Sequence, residues 1–173
     1  MAKQTVAVGT TANDGTGDPA RTAFQKINAN FDELYARPTF RVHKNGTNQT
    51  GVAYNAFTKL TWSTEAFDVG NLFGSDKWTP PAGKVLLSAA AHFVANANDC
   101  PTIITAIYKN GTELARSRCD RPSNREVHLP LTFIDDANGT DYYEVYVFHL
   151  ETGGGSATIS GGTGSTFFCG HVI

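Results

Sequence analysis

The residues best suited to chemistry are a few acids, histidines and arginines in an otherwise charge-poor chain of 173 residues. Asp135, Asp136, Asn138 and Asp141 crowd one short stretch. Oxygen ligands gathered in a loop are what a calcium ion requires. The spacing departs from that of a full calcium-binding loop and no Glu closes it, so a solvated hairpin turn is the better reading. His43, His92, His128, His149 and His171 lie singly on expected strands, without the paired spacing of a zinc site. Each is expected on a strand face, with His128 and His149 facing each other if their strands pair. Arg118, Arg121 and Arg125 concentrate positive charge around an expected turn from Asp120 to Asn124. Such a group could meet an anionic glycan or a lipopolysaccharide phosphate by paired hydrogen bonds. A solvated turn is the plainer alternative.

Other tempting motifs carry less. Gly9 to Gly17 is glycine-rich, but no Lys follows at the spacing of a phosphate-binding loop. Gly161-Gly162-Thr163-Gly164-Ser165 lacks the Gly-x-Ser-x-Gly order and the strand-to-helix setting of a nucleophile elbow. No Ser-His-Asp or Cys-His grouping can be argued from the sequence, because such residues meet only in the fold. The chain is therefore read as a non-enzyme with no cofactor and no metal.

Composition narrows the classes further. A net charge of −2 gives no electrostatic case for nucleic acid or an anionic membrane. The longest apolar run, Val85 to Ala91, is interrupted by Ser88 and falls far short of a membrane span. No apolar stretch follows Met1-Ala2-Lys3-Gln4-Thr5, so synthesis and folding in the cytoplasm are expected. In that compartment the three cysteines should be reduced. Cys100 and Cys119 flank one expected hairpin and could come close, but free buried thiols are the favoured reading.

The elements that must position these residues divide at Arg37-Pro38. Before the seam, Asn13-Asp14-Gly15 and Gly17 are turn formers. Asp18 stands where an N-cap belongs and Pro19 where the first helical residue belongs. Ala20, Phe24, Ile27, Phe31 and Leu34 then recur at helical three-four spacing, predicting a helix from Asp18 to Ala36. A lone helix of this length cannot bury such a stripe by itself. Self-association or docking onto a larger body is favoured over a helix lying on its own domain.

After the seam, strands are expected at Thr39–His43, Ala56–Trp62, Lys84–Ala95, Thr102–Tyr108, Thr112–Ser117, Arg125–Ile134, Tyr142–Leu150, Ala157–Ser160 and Thr166–Ile173. Lys84–Ala95 is apolar enough for a strand covered on both faces. Asn110-Gly111 is the strongest short hairpin signal available. Short strands at near-regular spacing argue a β-sandwich or jelly roll.

Two resemblances sharpen this picture. Gly9-Thr10-Thr11-Ala12-Asn13-Asp14-Gly15-Thr16-Gly17-Asp18, followed by Arg21, Ala23-Phe24, Lys26-Ile27-Asn28, Asn30-Phe31 and Leu34-Tyr35, resembles a segment of tailed-phage fibre, spike and baseplate proteins. That resemblance implies a virion protein and a trimer. The region from Thr39 to Ile173 resembles the globular head of complement component one q, within the tumour necrosis factor-like jelly-roll family. The resemblance rests on Trp78-Thr79-Pro80-Pro81-Ala82-Gly83, on Ile107-Tyr108-Lys109-Asn110-Gly111-Thr112-Glu113, and on Phe168-x-Gly170. Val85 to Leu87 departs from the aromatics often found there, and the chain has no collagen-like stalk. The family implies compact homotrimers that bind ligands at exposed loops and subunit grooves.

The expectation is thus a mainly β protein: an N-terminal helix followed by a homotrimeric TNF-like jelly-roll β-sandwich. Residues 1–37 should anchor and trimerise, through a seam of Asp18, Arg21, Phe24, Ile27, Phe31 and Leu34. Residues 38–173 should form the head, with Asn110, Gly111, Arg118, Arg121 and Arg125 as candidate ligand-loop residues. The expected role is a short trimeric fibre or spike, carried on the virion and made in the host cytoplasm. Expected partners are other virion proteins and a host surface glycan or protein, with no nucleic acid and no membrane insertion. A decoration or joining protein without receptor binding is the alternative.

Overall fold

The computed structural model describes residues 4–11 and 14–173. The expected turn residue Asn13 lies outside them. The chain separates into two compact units, Met1–Arg37 and Pro38–Ile173. The first holds one helix, α1 (Ala20–Tyr35). Its N-cap position is occupied by Pro19, which makes no side-chain cap. Asp18 is therefore not the cap its position suggested. Its carboxylate is drawn away instead, accepting from the Ala7 amide and the Lys26 ammonium.

The second unit is built from strands. They are β1 (Thr39–His43), β2 (Gln49–Val52), β3 (Thr58–Lys59), β4 (Thr64–Val69), β5 (Phe73–Gly74) and β6 (Lys77–Trp78). Then come β7 (Gly83–Phe93), β8 (Cys100–Lys109), β9 (Thr112–Arg121), β10 (Val127–Ala137), β11 (Tyr143–Leu150), β12 (Ala157–Ile159) and β13 (Phe167–Val172). The first sheet runs β2-β12-β7-β13-β1-β4, with β10 also pairing β7. The second runs β5-β6-β11-β8-β9, with β3 also pairing β11.

Alternation along the strands builds the core between the sheets. Phe40 on β1 is its aromatic hub. Its ring lies 4.7 Å from Trp78, 4.8 Å from Phe168 and 5.3 Å from Phe73, centroid to centroid. Trp78 and Phe73 belong to the second sheet, so these contacts join the two layers. Val85 and Leu87 on β7 point inward and are fully buried. The other side of β7 is only partly covered: Leu86, Ser88 and His92 remain half-exposed, short of the double coverage expected.

Two expectations about pairing need correction. β10 and β11 do not form a hairpin, because β10 pairs with β7 and β11 with β8. His128 therefore lies beside His92 in the first sheet, while His149 sits in the second. The expected strand over 56–62 contracts to Thr58–Lys59, and β2, β4, β5 and β6 are additional.

Candidate functional site

In the first unit, the residues before the helix fold back along one of its sides. The Gln4 amide donates to Asn30 Oδ1 at 2.8 Å, and Asn30 Nδ2 returns a bond to the Gln4 carbonyl at 2.9 Å. Lys26 Nζ donates to the Thr5 carbonyl at 3.1 Å and to Asp18 Oδ2 at 2.7 Å. Asp18 and Ala7 exchange two further bonds of 2.8 Å each. The Lys26 bond, with the Ala7 amide, holds the Asp18 carboxyl below the usual carboxylate range. Asp14 closes the intervening turn, accepting from Thr10, Thr11 and Thr16. Those donors, the Thr10 hydroxyl foremost, hold its carboxyl well below the usual carboxylate range.

This back-fold uses Asp18, Lys26 and Asn30 and leaves the apolar stripe uncovered. Phe24 is 65% exposed, Ile27 36%, Phe31 50% and Leu34 52%. No residue of α1 is buried. Arg21 is exposed as well. The stripe is therefore open within its own unit.

In the second unit, Asn110 and Gly111 form the β8–β9 tip with φ of 53° and 77°, left-handed values that favour these residue types. The Asn110 side chain is already committed. Its Nδ2 donates to Asp141 Oδ1 at 2.7 Å and its Oδ1 accepts from the Tyr142 amide at 3.0 Å. The neighbouring Lys109 Nζ lies 2.8 Å from Asp135 Oδ2 and 3.0 Å from Asp141 Oδ2. Of the acids singled out in the sequence, Asp135 and Asp141 converge on this lysine, whereas the exposed Asp136 carboxylate lies 3.7 Å from Lys84 Nζ. Burial by itself would push the Asp135 carboxyl up, but bonds from Lys109 and Tyr143 outweigh it and hold it below the usual carboxylate range. Asp141 is held low chiefly by Asn110. Lys109 is correspondingly raised, chiefly by Asp135. Among the described residues no group of three or more His, Cys, Asp or Glu is placed to hold a metal.

The arginines do not form one patch. β9 continues through Arg121, so the turn expected at 120–124 begins later. Arg121 is only 2% exposed and donates from Nη1 to the Val94 carbonyl at 2.6 Å. It is thereby removed from the solvent-facing group. Arg118 is exposed and donates to Thr102 Oγ1 at 2.8 Å, and Arg125 is exposed in the following loop. The histidines separate too. The rings of His92 and His128 lie 6.2 Å apart, with His92 Nε2 3.2 Å from Glu126, whereas His149 is buried with Nε2 3.0 Å from the Val52 carbonyl. All three cysteines are free, Cys100 buried and Cys119 and Cys169 half-buried.

One surface escaped the sequence reading. Phe57, Tyr108, Tyr146 and Phe148 gather on the outward side of the second sheet. Tyr108 and Tyr146 lie 4.2 Å apart, and Phe57 is 5.7 Å from Tyr108 and 5.2 Å from Phe148. Alternation of Tyr146 and Phe148 with inward valines was the available signal. The register bringing Tyr108 beside Tyr146 was not.

Residues 3–75 match the family model described as Bacteriophage T4 gp9/10-like protein, N-terminal. The match runs beyond the helix and across Arg37-Pro38 to the end of β5. No curated protein matches the chain. Murine APRIL at pH 5.0 superposes with a TM-score of 0.60 at 14% identity, over 79% of this chain and 99% of that one. Eiger TNF from S. frugiperda gives 0.58 at 11% identity, over 79% and 92%. The globular domain of zebrafish complement 1qA gives 0.54 at 12% identity, over 79% and 97%. The head is a TNF-type jelly roll. At these identities the likeness establishes fold alone. Within the TNF-type head, Gly170 has a local reason. A Cβ there would stand 2.7 Å from the Leu86 carbonyl oxygen and 3.1 Å from Phe40.

Proposed function

We propose that the chain is a short homotrimeric fibre or spike component of a tailed-phage or phage-like particle. Residues 1–37 attach it and help set the trimer; residues 38–173 form an outward head that adheres to the host surface. The observation that carries this reading is the open stripe of Phe24, Ile27, Phe31 and Leu34, in a segment resembling the N-terminal region of phage proteins. Asp18 supports the stripe by fixing the back-fold beside it. Partners on this reading are two further copies, other virion proteins and a surface glycan or protein of the host, and its location is the virion. No catalytic step is part of it.

The outward face of the first sheet supports the threefold reading. Leu86 and Ile134 lie side by side in register, and Phe67 and Val69 form a second apolar pair on β4, separated from the first by His171, Cys169, Thr39 and Arg41. Ile134 is 55% exposed, Phe67 47% and Val69 41%. Contacts repeated around a threefold axis close into a ring and leave no open interface. Sedimentation equilibrium of the full chain at micromolar concentration should give a trimer, and a stable monomer would refute that. Labelled trimer should bind host cells. Full occupancy on particles with no cell binding would leave the decoration role in its place.

A further inference from the structure

We propose that the outward face of the second sheet is a glycan-binding surface for neutral, hydroxyl-rich sugars, which stack on Phe57, Tyr108, Tyr146 and Phe148. The proposal rests on the adhesion reading above and gives it a site and a ligand class.

Three strands and the loop before β3 build this face. Register pairs Tyr146 with Ala106 and Phe148 with Ile104, so small and branched side chains of β8 lie between the rings. Phe57 stands above them at 37% exposure, and the other rings are half-buried. The rings are thus fixed at their bases and open at their outer surfaces. Rigid, partly exposed aromatics offer contact area at little entropic cost, and a sugar presents an apolar C–H side to such a ring.

Hydrogen-bonding groups frame the rings. Lys59 Nζ lies 2.6 Å from Glu144 Oε1. On the other margin, Arg116 pairs with Glu113 and Arg118 bonds Thr102. Each pair retains unused donors or acceptors for hydroxyl groups.

Charge decides among occupants. The cations Lys59, Arg116 and Arg118 are matched by Glu113, Glu144 and Asp120, and Lys77 at the edge of the sheet is taken up over the Tyr142 ring at 4.5 Å. A balanced face has no field to attract a polyanion. It also disfavours a second copy of the same face, since that dimer would have to desolvate every charged pair. The combination fits a neutral polyhydroxyl ligand. The anionic ligand suggested by three neighbouring arginines loses its basis, because Arg121 is buried and Arg118 already bonds Thr102.

The test uses the full chain on an array of immobilised neutral and acidic bacterial oligosaccharides, alongside host-cell binding. Phe57→Leu with Tyr108→Leu keeps apolar bulk and removes the ring faces. Neutral sugars should bind the parent, and the double variant should bind roughly tenfold more weakly or worse at an unchanged melting temperature. If the pair unfolds the head, Tyr146→Leu alone is read the same way, with Tyr146→Phe expected to retain binding. Undiminished sugar binding by the folded variants overturns the site and leaves adhesion intact. Binding confined to acidic sugars, with a steep salt dependence, overturns the ligand class. Cell binding that protease treatment of the cells abolishes, with no array signal, points to a protein receptor and also overturns it. Failure of the parent to bind cells or sugars removes the adhesion reading and this proposal together.

Discussion

Charging the helix stripe separates assembly from folding. Phe24→Asp with Phe31→Asp places two carboxylates where the proposed seam must be dry. A phenylalanine side chain contributes roughly 200 Å² when buried. Phe24 and Phe31 are 65% and 50% exposed. Covering what remains therefore removes about 230 Å² of apolar surface per chain from water. At ~25 cal/mol per Å² this amounts to at most about 6 kcal/mol per chain, or roughly four powers of ten in affinity. Desolvating the new carboxylates adds to the loss. In the free chain the same positions face water, so the substitutions should cost only about 0.5 kcal/mol. Occupancy on assembled particles, measured by quantitative mass spectrometry, should collapse while the head's melting temperature stays put. Normal occupancy of the double variant would show that the stripe is not the attachment surface.

Three further outcomes test the head. Lys109→Met removes the ammonium shared by Asp135 and Asp141. Those carboxyls sit below their ordinary range when folded, so their stabilisation is present above that range and lost as pH falls through the depressed values. In the variant, burial of Asp135 is opposed only by its remaining donors, and acid unfolding followed by circular dichroism should begin at higher pH; an unchanged acid profile would count against the linkage. Gly170→Ala should cost about 1–3 kcal/mol by thermal melting, because the Leu86 carbonyl oxygen is backbone and cannot swing aside; a wild-type melting curve would contradict the packing described. Replacing Cys100 and Cys119 together by Ala should lower the melting temperature modestly under reducing conditions, as expected of free thiols; a large loss seen only under oxidising conditions would reveal a disulfide instead.

What the sequence disclosed follows the range of the interactions concerned. The helix stripe and the Asn110-Gly111 tip rest on neighbours a few residues apart, and both occur where the pattern places them. The role of Asp18 was missed because its partners lie on both sides of it, Ala7 eleven residues before and Lys26 eight after. A local rule sees only the cap. Arg118 and Arg121 look alike in sequence, yet one faces water and the other the interior. Their odd separation on a strand of period two puts them on opposite faces, and only the true extent of β9 makes that parity usable. β10 and β11 read as a hairpin because they adjoin across an acidic turn. In a jelly roll the chain crosses between sheets at such turns, and the register that decides the outcome is non-local.

The two outward faces of the sandwich bear on each other. A sandwich places the exposed sides of its sheets back to back, across two layers and a core about 10 Å thick. On the first sheet the exposed side carries two apolar pairs, Leu86 with Ile134 and Phe67 with Val69, which water disfavours. On the second it carries aromatic rings framed by ion pairs, the proposed sugar surface. A trimer closing on the first face must turn the second outward, three times around the axis. Three weak sugar contacts displayed together gain avidity that none has alone. The assembly and adhesion proposals are therefore coupled through geometry. If self-association were found to bury Phe57 and Tyr108 instead of Ile134 and Phe67, the sugar site would be lost and the head would be a joining element.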